Sequence, residues 1–359
     1  VARFLNCRAE EIYFTGGGTE SINMAIFGTA RMHRSKIGTE SKGHLITSKI
    51  EHHAVLHSME ALGKEGFEIT YLDVDEYGLV NPEDIKKALR LDTILVSIMS
   101  ANNEIGTIEP VAEIGKIIKE VRKERQVDNN QTPIYFHTDA CQAAGALDLD
   151  TQKLGVDMLT INGSKIYGPK GVGCLYLNRN TRVKPLIYGG GQENTLRSGT
   201  ENVPGIVGFV KALELAQAEK EKENARLTEL RDYFIGRFLK EIPKTILNGH
   251  PVKRLPNNVN ISVMDIEGEA VVLYLDAKGI YMSTGSACTS TTLDPSHVIL
   301  ALGRPYEHAH GSLRFTLGRR TTKEDLDYVM EVLPGVVEKL RKISPVRMEI
   351  DERKVSNPQ

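Results

Sequence analysis

Through the first half of the chain, short apolar runs alternate with longer stretches in which apolar residues recur three and four positions apart. EIYF, GHLITS, EITYLDV, DTILVSIM, PIYFHTD, MLTIN and GCLYLN are rich in β-branched and aromatic residues and read as strands. ESINMAIFGTARMH, HAVLHSMEALGKEG and VAEIGKIIKEVRKER have the period of helices with one buried face. This alternation predicts an α/β domain, a mainly parallel seven-stranded sheet with helices on both faces. In such sheets ligands bind beyond the carboxyl ends of the strands, so the residues just after each apolar run are the ones to inspect.

GIVGFVKALELAQAEKEKENARLTELRDYFIGRFLKEI is a long, charged, helix-favouring stretch that reads as a connector. Beyond it, NNVNISVM and SLRFTLG read as strands, and GEAVVLYLDAKG and TKEDLDYVMEVLPGVVEKLRKI as helices. We therefore expect a large domain at 1–222 and a smaller α+β domain at 223–359. RSKIGTESKG and ERQVDNNQTP are polar enough to be surface loops. The start, VARFLNCRAEEIYFTGGGTE, reads as the end of a helix, a link and a buried strand, so a preceding segment is expected.

Composition narrows the possibilities. With 40% hydrophobic and 26% charged residues the chain can bury a sizeable core. A formal net charge of −2 gives no basic field for nucleic acid or an acidic membrane. No apolar run approaches the roughly 18 residues of a membrane span, and no signal peptide is evident. Cys7, Cys141, Cys174 and Cys288 are far apart and form no C-x-x-C pair, which favours free thiols in a reducing, cytoplasmic setting.

Five stretches at strand ends carry candidate chemistry. TGGGTES frees the backbone for close approach at Gly18 and places Thr19 as a helix N-cap, either an anion site or a plain glycine turn. KIEHHAVLH puts His52 and His53 where a strand gives way to a helix. His53 and His57 are four apart but have no third ligand, so no metal is expected, and His52 is a stacking, acid/base or ordinary surface histidine. SANNEIG brings Asn102 and Asn103 to the ligand edge, or forms an asparagine turn. In YFHTDACQ, Asp139 ends an apolar strand and Gln142 follows; the carboxylate suits a protonated heterocycle or caps a helix. In INGSKIYGPKG, Lys165 follows a strand in apolar, glycine-rich surroundings and reads as a desolvated amine able to form a Schiff base, against a surface lysine.

Together these are the parts that pyridoxal phosphate requires. SKIYGPKG, GGGQENTLRSGTEN, TGSACTS and LRFTLGR make the chain resemble the cysteine desulfurases of the NifS/IscS-like group, in the class V aminotransferase family of fold-type I pyridoxal-phosphate enzymes. The resemblance runs along nearly the whole chain and implies roles. Lys165 holds the cofactor covalently and moves the Cα proton. His52 stacks on its ring, Asp139 pairs with the ring nitrogen, and Asn103 and Gln142 contact the ring oxygen. Gly18, Thr19, Asn162 and Ser164 hold the phosphate. Thr200 reaches the phosphate of a neighbouring subunit, implying a homodimer with shared sites. Arg314 binds the substrate carboxylate, with Asn103 nearby.

Cys288 lies in STGSACTSTT, whose small polar residues suit a loop and cannot build a core. Out of context it is an inert thiol; the resemblance makes it the nucleophile that takes sulfur from L-cysteine, releasing L-alanine. The implied acceptor is an iron–sulfur scaffold or a sulfur carrier for tRNA or cofactor thiolation. Cys7, Cys141 and Cys174 lie in or beside apolar runs and read as packed thiols. Ser164 stands where many relatives carry histidine, and Asn162 where serine is common. The family usually has about sixty residues more at the N-terminus, and an organelle matrix is then a second possible location. Selenocysteine lyase, cysteine-sulfinate desulfinase, aminotransferase and a non-catalytic scaffold are the competing readings. The tail PVRMEIDERKVSNPQ is a partner-docking segment or a disordered end.

Overall fold

The computed structural model describes residues 1–37, 43–128, 130, 132–285 and 295–344. It divides into two compact units, one of residues 1–74, 79–102 and 109–220, the other of 75–78, 103–108 and 221 onward.

The first unit is built on seven strands: β1 (Ile12–Thr15), β2 (His44–Ser48), β3 (Glu68–Leu72), β4 (Thr93–Ser97), β5 (Tyr135–Asp139), β6 (Met158–Asn162) and β7 (Gly173–Leu177). Their order is β1-β7-β6-β5-β4-β2-β3. The ladders from β6 through β5, β4 and β2 to β3 are parallel, while β7 is antiparallel to both β6 and β1. Every residue of β2, β4 and β7 is buried, which explains why these segments read as unbroken apolar runs. Alternate side chains feed two cores, one per face: Ile46, Val96, Leu159 and Tyr176 on one, Leu45, Leu95, Met158 and Leu175 on the other.

One polar residue sits deep in the sheet. His137 on β5 spans from Ser97 Oγ on β4 (2.9 Å) to Thr160 Oγ1 on β6 (3.1 Å). Full burial pushes its imidazole down to about 3, so it is a neutral structural bridge.

The helices Gly18–Ile37, His53–Lys64 and Val111–Val127 follow β1, β2 and β4. Two run further than the pattern predicts. RSKI, and the QV that follows VAEIGKIIKEVRKER, fall in stretches polar enough to read as loop but continue their helices to Ile37 and Val127, where Arg, Lys and Gln are good helix formers. A helix at Pro82–Ala88 escapes the periodicity because it is too short, although its start is well marked. Asn81 Oδ1 accepts from the Glu83 N–H (3.1 Å) and Pro82 opens the first turn.

The second unit holds an antiparallel sheet of order β10-β11-β9-β8, formed by β8 (Thr245–Leu247), β9 (Asn258–Val263), β10 (Ser283–Thr284) and β11 (Ser312–Thr316). β8 and β10 were not foreseen, being three and two residues long. Its own core joins Phe234, Phe238 and Phe315 with Val259, Ile261, Leu326 and Leu333. The three phenylalanines meet edge to face, with centroids 5.1 to 6.1 Å apart. The long helix Val203–Glu241 begins in the first unit and ends in the second. No helix among the described residues is long and apolar enough to cross a membrane.

Candidate active site

The first unit gathers polar residues at the carboxyl ends of β2, β5 and β6. The helix Gly18–Ile37 starts at Gly18, so Thr19 lies in its first turn and is not its cap, as the sequence reading had it. Gly18 is buried against neighbours that tolerate nothing larger. A Cβ there would lie 2.8 Å from Cys141 Sγ and 3.5 Å from Asn162 Cβ. A Cβ on Gly173 would meet the Gly17 backbone at 2.7 Å, so glycine is required on both sides. The turn itself is tied down by Thr15 Oγ1, which bonds Ser21 Oγ (2.7 Å) and donates to the Gly17 carbonyl (3.1 Å). This brings the positive end of a 20-residue helix beside the ends of β5 and β6.

His52 caps the next helix. Its Nδ1 accepts from the Ala54 N–H at 3.0 Å, which puts the ring proton on Nε2 in the neutral form. Burial pushes the imidazole below its ordinary value, and the positive charges of Lys165 and His57 push the same way against Asp139. Asp139 is the last residue of β5 and is buried. Its Oδ1 accepts from the Cys141 N–H at 2.9 Å, opening a turn at 140–146 where the capping alternative called for a helix. Lys165 sits in the short 3-10 turn Gly163–Ile166 that leaves β6, with Ser164 beside it. It acts electrostatically on both His52 and Cys141, as Asp139 does, so the amine, imidazole, thiol and carboxylate share one neighbourhood. Lys165 is exposed in the single chain, whereas its flanks had suggested a desolvated amine. Gln142 follows in the turn, half-buried, and Thr200 is exposed.

The second unit supplies a separate constellation. Arg314 lies mid-strand on β11, paired with Asn260 on one side and Ser283 on the other. Its Nε and Nη2 donate to Ser283 Oγ (3.1 and 2.9 Å), and its Nη1 donates to the Asn103 carbonyl (3.0 Å). The fork is thus aimed by neutral oxygens, and among the described residues no carboxylate lies within ion-pair distance. Asn103 Oδ1 is buried with no hydrogen-bond partner among the described residues. A buried acceptor left this way is costly unless something is meant to occupy it.

Cys288 lies outside the described residues, as does the tail from Pro345. The other thiols are disfavoured as thiolates. Burial raises Cys141 well above its ordinary value, helped by Asp139; it raises Cys174 likewise, and brings Cys7 to about 11. His53 and His57 lie ring to ring at 5.1 Å. Among the described residues no group of three or more His, Cys, Asp or Glu is placed to hold a metal ion.

The fold also exposes two carboxyls that sequence reading passed over. Glu51, between β2 and His52, is fully buried. Its Oε1 accepts from Ser48 Oγ (2.8 Å) and from the Met99 N–H (2.9 Å), linking the ends of β2 and β4. Burial, with a contribution from Asp139, pushes it up to about 8. Glu104 is its counterpart in the second unit, pushed by burial up to about 7. Neither has a signal in the sequence, since a glutamate at a strand end is ordinarily solvated.

Glu51 makes a testable contribution to stability. Its folded-state value is raised from the ordinary 4.5, so the folded protein holds a proton that the unfolded chain releases. The stability it allows is fully present below about pH 4.5 and is lost as pH rises toward 8. Glu104 works in the same sense, and His137, held neutral, in the opposite sense below 6.5. We therefore expect Glu51→Gln to unfold at urea concentrations that vary less between pH 5 and 8 than the wild type's. A parallel dependence in the two proteins would contradict it.

The donor set fits pyridoxal phosphate on chemical grounds. A helix N-terminus freed by glycine suits a phosphate, a buried carboxylate suits a protonated ring nitrogen, and an exposed amine is free to react.

Comparison with known proteins gives the same grouping. The class-V aminotransferase family model matches residues 1–329. Cysteine desulfurase IscS of Dictyoglomus turgidum is 55% identical over 349 residues, covering 97% of this chain and 84% of that protein. A solved NifS-like protein superposes with a TM-score of 0.82 at 34% identity, covering 95% of this chain and 86% of that one. The solved structure of SspA in complex with cysteine gives a TM-score of 0.73 at 36% identity, over 88% of this chain and 84% of that one. The chain belongs to the class-V aminotransferase family, among its IscS-type cysteine desulfurases, which are pyridoxal-phosphate enzymes.

Proposed function

We propose that this chain converts L-cysteine to L-alanine and passes the sulfur on as a persulfide of Cys288. The observation that carries this reading is the co-location of Lys165, His52 and Asp139 at the strand ends, beside the glycine-opened helix at Gly18. Pyridoxal phosphate, when bound, supplies an electron sink for the substrate's Cα. Lys165 holds the cofactor through its amine and moves the Cα proton. Asp139 holds a proton on the ring nitrogen by a charge-assisted bond. His52 covers the ring with a neutral imidazole whose Nε2–H remains available. Gly18, Thr19, Asn162 and Ser164 bind phosphate, and Asn103 and Gln142 orient the ring oxygen. A hydroxyl at Ser164 can still donate to phosphate, but it cannot perform proton transfer that a histidine there would.

The Cys288 thiolate then attacks the substrate sulfur. A sulfur–sulfur bond forms, the substrate's carbon–sulfur bond breaks, and its electron pair stays on carbon. Protonation of that carbon completes L-alanine. Thr200, exposed in the single chain, fits the reading of a homodimer in which it reaches the partner subunit's phosphate. The free thiols of Cys7, Cys141 and Cys174 agree with a cytoplasmic enzyme. An iron–sulfur scaffold or a sulfur carrier is the proposed acceptor, and the boundary along the chain between the large and small domains is proposed near residue 222. Adding L-cysteine to the purified chain should release L-alanine and add the mass of one sulfur to the Cys288 peptide. Sulfur release without that adduct would overturn the assignment.

Arg314 is proposed to bind the substrate carboxylate. Lysine cannot reproduce a fork aimed by Ser283 and Asn103. Arg314→Lys should raise KM for L-cysteine about tenfold or more, with the absorption of the bound cofactor unchanged. A normal KM would move the carboxylate site elsewhere.

A further inference from the structure

Glu104 is 3% exposed and held from both ends. Its carbonyl accepts the side-chain amides of Asn258 and Asn260 on β9, each at 3.1 Å. Its Oε2 accepts from Ser296 Oγ at 2.5 Å. Ser296 is itself buried and caps the helix His297–Ala301, accepting from the Ile299 N–H at 3.3 Å. On the other side of the carboxyl stands Gly285. A Cβ there would lie 3.0 Å from Glu104 Oε2, 2.9 Å from Ser312 Oγ and 3.1 Å from Ser296 Cβ. Gly285 and Ser296 flank segment 286–294, which contains Cys288. One buried carboxyl therefore lies beside Gly285 on one side of that segment and Ser296 on the other, and an added methyl at Gly285 would force these side chains to shift. Arg314 is the charged group that acts on it.

Resting on the persulfide reading above, we propose that Glu104 is a positioning residue for sulfur transfer: by bonding Ser296 and packing on Gly285 it holds together the two ends of the segment that carries Cys288. Fixing Gly285 and Ser296 relative to each other sets the span that the chain between them has to bridge. The role requires an acceptor at Glu104 and no more, so an amide serves as well as a carboxyl.

The test compares Glu104→Ala, Ser296→Ala, Gly285→Ala and Glu104→Gln in the holoenzyme. Iodoacetamide alkylation of Cys288 without substrate, followed by peptide mass, reports the thiol's setting independently of turnover. Single-turnover sulfur appearance on Cys288 reports transfer, and the L-cysteine concentration at half-maximal rate reports binding. Ser296→Ala, Gly285→Ala and Glu104→Ala should change alkylation by about threefold or more and slow transfer about tenfold, with half-saturation within about twofold of wild type. Glu104→Gln should stay within about threefold of wild type in every measure. The proposal falls if folded Ser296→Ala and Gly285→Ala alkylate and transfer like wild type. It falls equally if the variants raise half-saturation and leave transfer at saturation unchanged, because Glu104 would then act through Arg314. A wild type that forms no persulfide would remove the desulfurase reading, and alkylation would still decide whether Glu104 holds the segment.

Discussion

Lys165→Ala is expected to lower L-alanine release by about 10⁴-fold and to leave no cofactor attached covalently to the chain. Two functions are lost in one substitution. The amine is the only lysine in the 3-10 turn that leaves β6, and its charge is felt by His52 and Cys141. It is both the attachment point and the group placed to move the Cα proton. Arginine should not rescue it, because a guanidinium stays protonated and cannot act as a nucleophile or base. Borohydride reduction followed by peptide mapping reads the attachment without any turnover. In the wild type the added mass should fall on Lys165; finding it on Lys170, in the neighbouring glycine turn, would overturn the assignment. The phosphate cradle at Gly18 is untouched by the change, so the variant should still take up cofactor, now removable by dialysis.

Cys288→Ser should retain covalently held cofactor and lose sulfur transfer by about 10³-fold or more. A hydroxyl has the size of a thiol but cannot form the sulfur–sulfur bond. Cys7 is the least buried of the other three cysteines, and burial, with Glu11 nearby, raises its thiol to about 11. It is therefore almost wholly protonated near pH 7 and a poor substitute. Cys141 lies closer to the chemistry, but burial raises its thiol well above the ordinary value and it packs against Gly18 beside Asp139. The check is single-turnover mass spectrometry with L-cysteine on wild type and variant. Sulfur on Cys7 or Cys141 of the variant at the wild-type rate would show that Cys288 is not the required carrier.

Much of the scaffold was legible because its signals are local. Each of the seven strands of the large sheet coincides with an apolar run, and the pattern is plainest in β2, β4 and β7, where every residue is buried. The strand-end rule then singled out Asp139 and Lys165, because α/β topology delivers those ends to one edge whatever the details of packing. Short elements were lost for the same reason: β8 and β10 hold too few residues to show a period. Two helices run past the point where polarity suggests a loop, because long polar side chains such as Arg, Lys and Gln still favour helix.

What the chain determined by itself is the order of elements, the residue types at the strand ends and the presence of a thiol among small polar residues at 283–292. What only the tertiary structure decided are the pairings between distant segments. Glu51 joins Ser48 to Met99, Arg314 is aimed by Ser283 and Asn103, and Glu104 bonds Ser296 across 192 positions of sequence. No periodicity encodes such contacts. A buried carboxyl is stable only when particular donors converge on it, and that convergence exists only once the chain has folded.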